Sequence, residues 1–281
     1  MQTVIVDGLA FPEGVRWRNG ALYFSDMHSH QVLRWEDGRL EVLAHIPGKP
    51  SGLGFTADGA LLVASQHDRS VYRVDLAAPG SGAELHADLS GVASWHLNDM
   101  ITDAEGNAYV GNFGSGAPPG EPIAPAALAR VGADGAVTVA ADELFFPNGM
   151  AFSADGRTLT VAETRSEPGR LTQFDVAEDG SLSNRRVLVE FASEWPDGIA
   201  IDRNGDFWVA SPFSDEVLRV TADGEIAERV AVTAPYAVAI GGDPDGDGGS
   251  DLFVASAETW LPEEAAVRRS GRIVRIDGVV S

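Results

Sequence analysis

Apolar and polar positions alternate along this chain in stretches of four to six residues, and the stretches are punctuated by Asn-Gly, Asp-Gly or Glu-Gly pairs. A period of two predicts β-strands. The Gly pairs between them predict tight hairpins, where the backbone needs positive φ. The pattern also repeats as a unit: an apolar lead-in, a turn pair, an apolar strand, a loop, then a phrase such as Val-x-Arg-Val. The lead-ins are Pro12-Glu13-Gly14, Pro50-Ser51-Gly52, Leu97-Asn98-Asp99, Pro147-Asn148-Gly149, Pro196-Asp197-Gly198 and Pro235-Tyr236-Ala237. Their starts lie 38, 47, 50, 49 and 39 residues apart. Repeats of that length, built of short strands, are the signature of propeller blades.

Between each Val-x-Arg-Val phrase and the next lead-in there is room for one more strand, such as Glu41-Val42-Leu43-Ala44 or Arg229-Val230-Ala231-Val232. The expected fold is therefore all-β: a six-bladed β-propeller with four antiparallel strands per blade, occupying residues 1–281 as a single domain. The sixth copy lacks its last strand, and Thr3-Val4-Ile5-Val6 has the character to supply it, closing the ring and leaving no open edge there. The one helix-like stretch runs from Glu263 to Arg269.

Antiparallel strands reverse direction, so the start of each first strand and the loop after each second strand fall at one end of the channel. The Asp-Gly turns fall at the other. The second residues of the lead-ins should converge on one channel opening: Glu13, Ser51, Asn98, Asn148, Asp197 and Tyr236. Such residues also cap turns and strand starts in many proteins, although Glu is a poor turn former. Carboxylate and amide oxygens without Cys or His suit a hard cation, Ca²⁺ or Mg²⁺.

Composition adds limits. The 281 residues include no cysteine, which excludes disulfides, thiolate metal sites and a cysteine nucleophile and suits a reducing cytoplasm. No apolar run reaches membrane-spanning length, and the N-terminus reads as a strand rather than a signal peptide. The net charge of −22 argues against nucleic acid and anionic membranes as partners. The expected partner is a small-molecule substrate, and the expected state is a monomer or homodimer.

The phrases Phe11-Pro12-Glu13-Gly14, Leu97-Asn98-Asp99, Phe146-Pro147-Asn148-Gly149 and Pro196-Asp197-Gly198-Ile199, in order along essentially the whole chain, resemble the senescence-marker-protein / gluconolactonase / luciferin-regenerating-enzyme family. The resemblance implies a six-bladed propeller binding one divalent metal, Ca²⁺ first, with Mg²⁺, Zn²⁺ and Mn²⁺ open. It makes Glu13, Asn148 and Asp197 the metal ligands and puts Asn98 near metal and substrate. Sugar-lactonase members carry Arg two residues before that Asn; this chain has His96. A switchable imidazole reads a different substrate from a fixed guanidinium fork.

The expected activity is metal-dependent hydrolysis of a lactone, with Asp197 as first and Asp99 as second choice of base. The alternatives are other metal-dependent chemistry (phosphotriesterase-like or isomerase) and a non-enzymatic Ca²⁺-binding module. Substrate contacts are expected from Asn98, His96, Phe113, Glu258 and Trp260. The loop 112–126 is read as a lid or surface insertion. Shorter loops bring His28, His30, His67, Glu163 and Arg165. Trp95 and Trp195 are read as core wedges between blades. The run 243–251 echoes an EF-hand loop without its last Glu, and is read as an ornate turn or a second Ca²⁺ site.

Overall fold

The computed structural model describes residues 1–116, 122–242 and 250–280. It contains six four-stranded antiparallel sheets. The first blade runs Pro12–Arg18, Ala21–Asp26, Gln31–Glu36 and Arg39–His45, in that order from inside to outside. The innermost strands touch in sequence around a closed ring, from Pro12–Arg18 through Pro50–Phe55, Leu97–Thr102, Pro147–Phe152 and Ile199–Ile201 to Pro235–Gly241, and back to the first.

The expected turns are present. Asn19 and Gly20 take φ of 50° and 81° between the first two strands, the left-handed pair that a two-residue hairpin requires. Closure follows expectation as well. Gln2–Leu9 pairs antiparallel with Gly271–Ile276, so the sixth sheet combines the two ends of the chain. The single α-helix among the described residues, Pro262–Arg268, lies in the loop between the last two strands before closure.

The core lies between blades. Leu62, Ala64 and Val71 of the second blade meet Leu97, Met100 and Val110 of the third. At the closing seam Val6, Leu9 and Phe253 meet Val15, Leu22 and Phe24. Two-sided burial explains why second strands such as Leu61–Ser65 and Phe207–Ser211 are buried at every position, although an exposed sheet face would demand alternation.

Candidate functional site

Glycine sets the geometry at the channel mouth. Gly14 follows Glu13 with φ of 58°, and a Cβ there would run into the carbonyl of Ser51 in the next blade. Gly149 stands in the same relation to Asp197, whose carbonyl accepts its N–H at 3.2 Å. Absence of a side chain lets neighbouring innermost strands approach until the residues before the glycines meet.

All six lead-in residues are buried. Ser51 Oγ donates to Asn98 Oδ1 at 3.3 Å, Asn98 Nδ2 to Asn148 Oδ1 at 2.6 Å, and Asn148 Nδ2 to Asp197 Oδ1 at 2.6 Å. Side chains from four consecutive blades thus form one hydrogen-bonded arc. Tyr236 stacks edge-on against Phe11, with centroids 4.6 Å apart, and its hydroxyl pKa is raised by burial and by the charges of Asp197 and Glu13.

Three carboxylates share this buried space. Burial, then the charges of Asp197 and Asp99, push the Glu13 carboxyl well above its usual range. Burial and Asp99 do the same to Asp197, against the opposing Asn148 and Gly198 hydrogen bonds. Burial raises Asp99 too, opposed by Arg16. Arg16 is the cation acting on Glu13, but its Nη2 donates to Asp99 Oδ1 at 2.8 Å and to the Met100 carbonyl. Among the described residues Glu13 and Asp197 are thus left without a cation of their own. Two buried carboxylates and an amide oxygen fit a hard divalent ion in both charge and donor type. Among the described residues no group of three His, Cys, Asp or Glu has metal-binding geometry; the third donor here is an amide.

Arg16 and Thr164 were not anticipated from the sequence. Arg16 lies on the innermost strand of the first blade, three residues after Glu13. Thr164 accepts from Asn148 Nδ2 at 3.0 Å and donates to the Pro196 carbonyl at 2.7 Å, fixing the amide. A cavity of about 470 Å³ reaches Thr164 and is bounded by Arg165, Trp195 and Ile123.

The other expected contacts divide. Phe113 stacks on Phe146 at 4.2 Å. His96 stacks on Trp95 at 4.9 Å and lies tilted against His67 at 4.4 Å. Trp260 is 42% exposed, and its carbonyl meets His28 Nε2 at 3.1 Å. Glu258 is exposed. Trp95 and Trp195 are 42% and 36% exposed. They are surface aromatics rather than core wedges, because the blade interfaces are already filled by strand residues. Glu163 is a strand residue, not a loop residue. Its fully buried carboxylate accepts from Arg170, Arg185, Thr172 and the Phe145 N–H. Residues 117–121 of the 112–126 loop and 243–249 of the Asp/Gly turn lie outside the described residues.

The family model described as SMP-30/Gluconolactonase/LRE-like region matches residues 11–258. The chain belongs to that family. A 6-deoxy-6-sulfogluconolactonase of Pseudomonas putida is 28% identical over 80% of this chain and 77% of its own. A pentonolactonase of Haloferax volcanii is 29% identical over 84% of each. The solved structure of regucalcin from Agrobacterium tumefaciens, a calcium-binding protein, superposes with a TM-score of 0.78 at 23% identity, covering 97% of this chain and 92% of its own. No described helix is long and apolar enough to cross a membrane.

Proposed function

We propose that this family member is a divalent-metal-dependent lactonase, with Glu13, Asn148 and Asp197 holding one Ca²⁺. The observation that carries this reading is the buried pair Glu13 and Asp197, left without a cation while Arg16 is engaged by Asp99. The relatives named as lactonases, at 28% and 29% identity over most of their length, support the reaction class.

The bound ion supplies polarisation of the ester carbonyl and a lowered pKa for water at the site. The chain's residues do the rest. Water adds to the carbonyl carbon and gives a proton to Asp197. The bond from that carbon to the ring oxygen breaks, and Asp197 passes the proton it took from water to the departing ring oxygen, giving the open hydroxy acid. Asn148 holds Asp197 Oδ1 in place. Asp99 serves as a charge partner for Arg16 rather than as first base. Asn98, His96, Phe113, Glu258 and Trp260 are the proposed substrate contacts.

The test is turnover of a panel of γ- and δ-lactones and aryl esters, with and without chelator, in the wild type and in Glu13→Ala, Asn148→Ala and Asp197→Ala. Chelator-sensitive hydrolysis that drops at least about 100-fold in Glu13→Ala and Asp197→Ala is expected, since such ligands position the reacting groups. Near-wild-type rates in all three variants would sink the metal site.

A further inference from the structure

The sequence contains a single lysine, Lys49, and six histidines. Lys49 and four of those histidines, His28, His30, His67 and His96, gather in one sector of the mouth, spanning the first three blades. The clustering is built by the backbone. The Gln66 N–H donates to the Lys49 carbonyl and the His67 N–H to the Gly48 carbonyl, both at 2.9 Å. The Leu97 N–H donates to the Gln66 carbonyl at 3.2 Å. Three loops are thereby tied together, two residues away from Ser51 and Asn98 of the hydrogen-bonded arc.

These groups repel one another. The His28, His67 and His96 rings are each held below the usual imidazole range, chiefly by burial, with the charge of Lys49 acting in the same sense on all three. His67 and His96 face each other at 4.4 Å between centroids, and Arg69 adds to the field at His96. The half-buried Lys49 ammonium has no ion pair or side-chain hydrogen bond among the described residues, and burial lowers its pKa without opposition from an acid. Two carboxylates act on the cluster. Asp26 is taken up by the N–H groups of Ala10 and Phe11, and Asp68 accepts from the Tyr72 hydroxyl. A chain of net charge −22 has acids in excess, yet among the described residues none pairs with Lys49. A neutral lactone ring would have no use for such a sector; an anionic group would satisfy Lys49 and both imidazoles at once.

We propose that Lys49, His67 and His96 form an anion subsite beside the metal site, and that the substrate is a lactone carrying a carboxylate, sulfonate or phosphate substituent. The substrate class rests on the lactonase reading; the anion subsite does not.

Two measurements separate them. Inorganic sulfate is titrated into the metal-loaded protein while the His67 and His96 ring nitrogens are followed by NMR, in the wild type, Lys49→Met and Lys49→Arg. Saturable shifts are expected in the wild type, weakened about tenfold in Lys49→Met and restored in Lys49→Arg, the scale of one charge-assisted hydrogen bond. Shifts that do not saturate, or that ignore the lysine substitution, overturn the subsite. The second measurement compares kcat/KM for D-glucaro-1,4-lactone and D-glucono-1,4-lactone, which differ by a carboxylate in place of a hydroxymethyl group. The ratio should favour the anionic lactone and fall about tenfold in Lys49→Met. An equal ratio in both proteins overturns the substrate class. Saturable sulfate binding with no turnover of either lactone or of any lactone in the panel overturns the lactonase reading alone.

Discussion

Arg16→Met tests the charge account of the channel. The Arg16 side chain is 18% exposed and that of Asp99 8%. Besides the Asp99 contact at 2.8 Å, Arg16 donates to the Val15 carbonyl at 2.8 Å and to the Met100 carbonyl. Removing one partner of a buried pair leaves the other charge uncompensated and costs about 3–5 kcal/mol. The cost depends on pH. Asp99 is already raised by burial with Arg16 present, and loss of the guanidinium raises it further. A carboxyl whose folded pKa exceeds its unfolded value contributes stability below the unfolded pKa, and that contribution is lost as pH rises through the folded pKa. The destabilisation of Arg16→Met should therefore be larger near pH 8 than near pH 5. Urea denaturation of the chelated protein at both pH values measures it. The double variant Arg16→Met/Asp99→Leu removes both charges and should recover most of the loss, because replacing a whole buried pair with apolar groups is close to neutral. A cost below about 1 kcal/mol, or one independent of pH, would refute the claim that Arg16 is the cation balancing Asp99.

Three further outcomes follow from the same structure. Glu163→Gln should cost about 3 kcal/mol, since Arg170 and Arg185 both lose a fully buried partner. Although burial raises the Glu163 carboxyl, hydrogen bonds from Arg170, Thr172 and Phe145 outweigh it and hold its pKa below the usual value. Its contribution is therefore present above the unfolded carboxylate pKa and lost as pH falls through the folded one, so a plot of Tm against pH should have a flatter acid limb in the variant. Val6→Asp places a charge in the closing seam, where Val6 is 7% exposed. It should lower stability by at least about 3 kcal/mol in denaturant titrations, whereas a similar cost for the exposed Val4→Asp would argue against closure by this strand. Adding Ca²⁺ at about 100 times its Kd should stabilise the wild type by about 2.7 kcal/mol, and chelator should reverse the gain. Asp197→Asn should lose most of that gain in differential scanning fluorimetry.

Blade number and ring closure were legible in the sequence because a propeller writes its topology as a period. Six lead-ins in phase fix which residues open each innermost strand, and strand direction then sends them to one end. The hydrogen-bonded arc of Ser51, Asn98, Asn148 and Asp197 is the physical content of that phase. Arg16 was not legible for the same reason. It stands within the strand, off the repeating position, and only the register shift between Glu13 and Arg16 turns it toward Asp99 of another blade. Glu163 was misread because sequence gives the end of a strand only approximately; the carboxylate lies on the ladder, opposite Arg170. Trp95 and Trp195 were misread because a large aromatic beside a site motif says nothing about whether the interface beneath has space.

The glycines after Glu13 and Asn148 link the fold to the chemistry. A Cβ at Gly149 would meet the Asp197 carbonyl and the Ile199 nitrogen, and one at Gly14 the Ser51 carbonyl. Each is a place where two blades approach closely enough for side chains on different sheets to bond at 2.6 Å, as Asn148 and Asp197 do. Asn148 is locked into a strand ladder, and Asp197, two residues before its strand, is fixed by its N–H donating to the Ala210 carbonyl at 2.9 Å; a free loop would hold such groups less firmly. The repeat that closes the ring is therefore also what brings oxygen donors from separate blades to one point. Substrate recognition has no such constraint. On the anion-subsite proposal it lies in the loops above, where Lys49, His67 and His96 stand outside the repeating positions, so the same ring can carry different recognition groups without change to its donors.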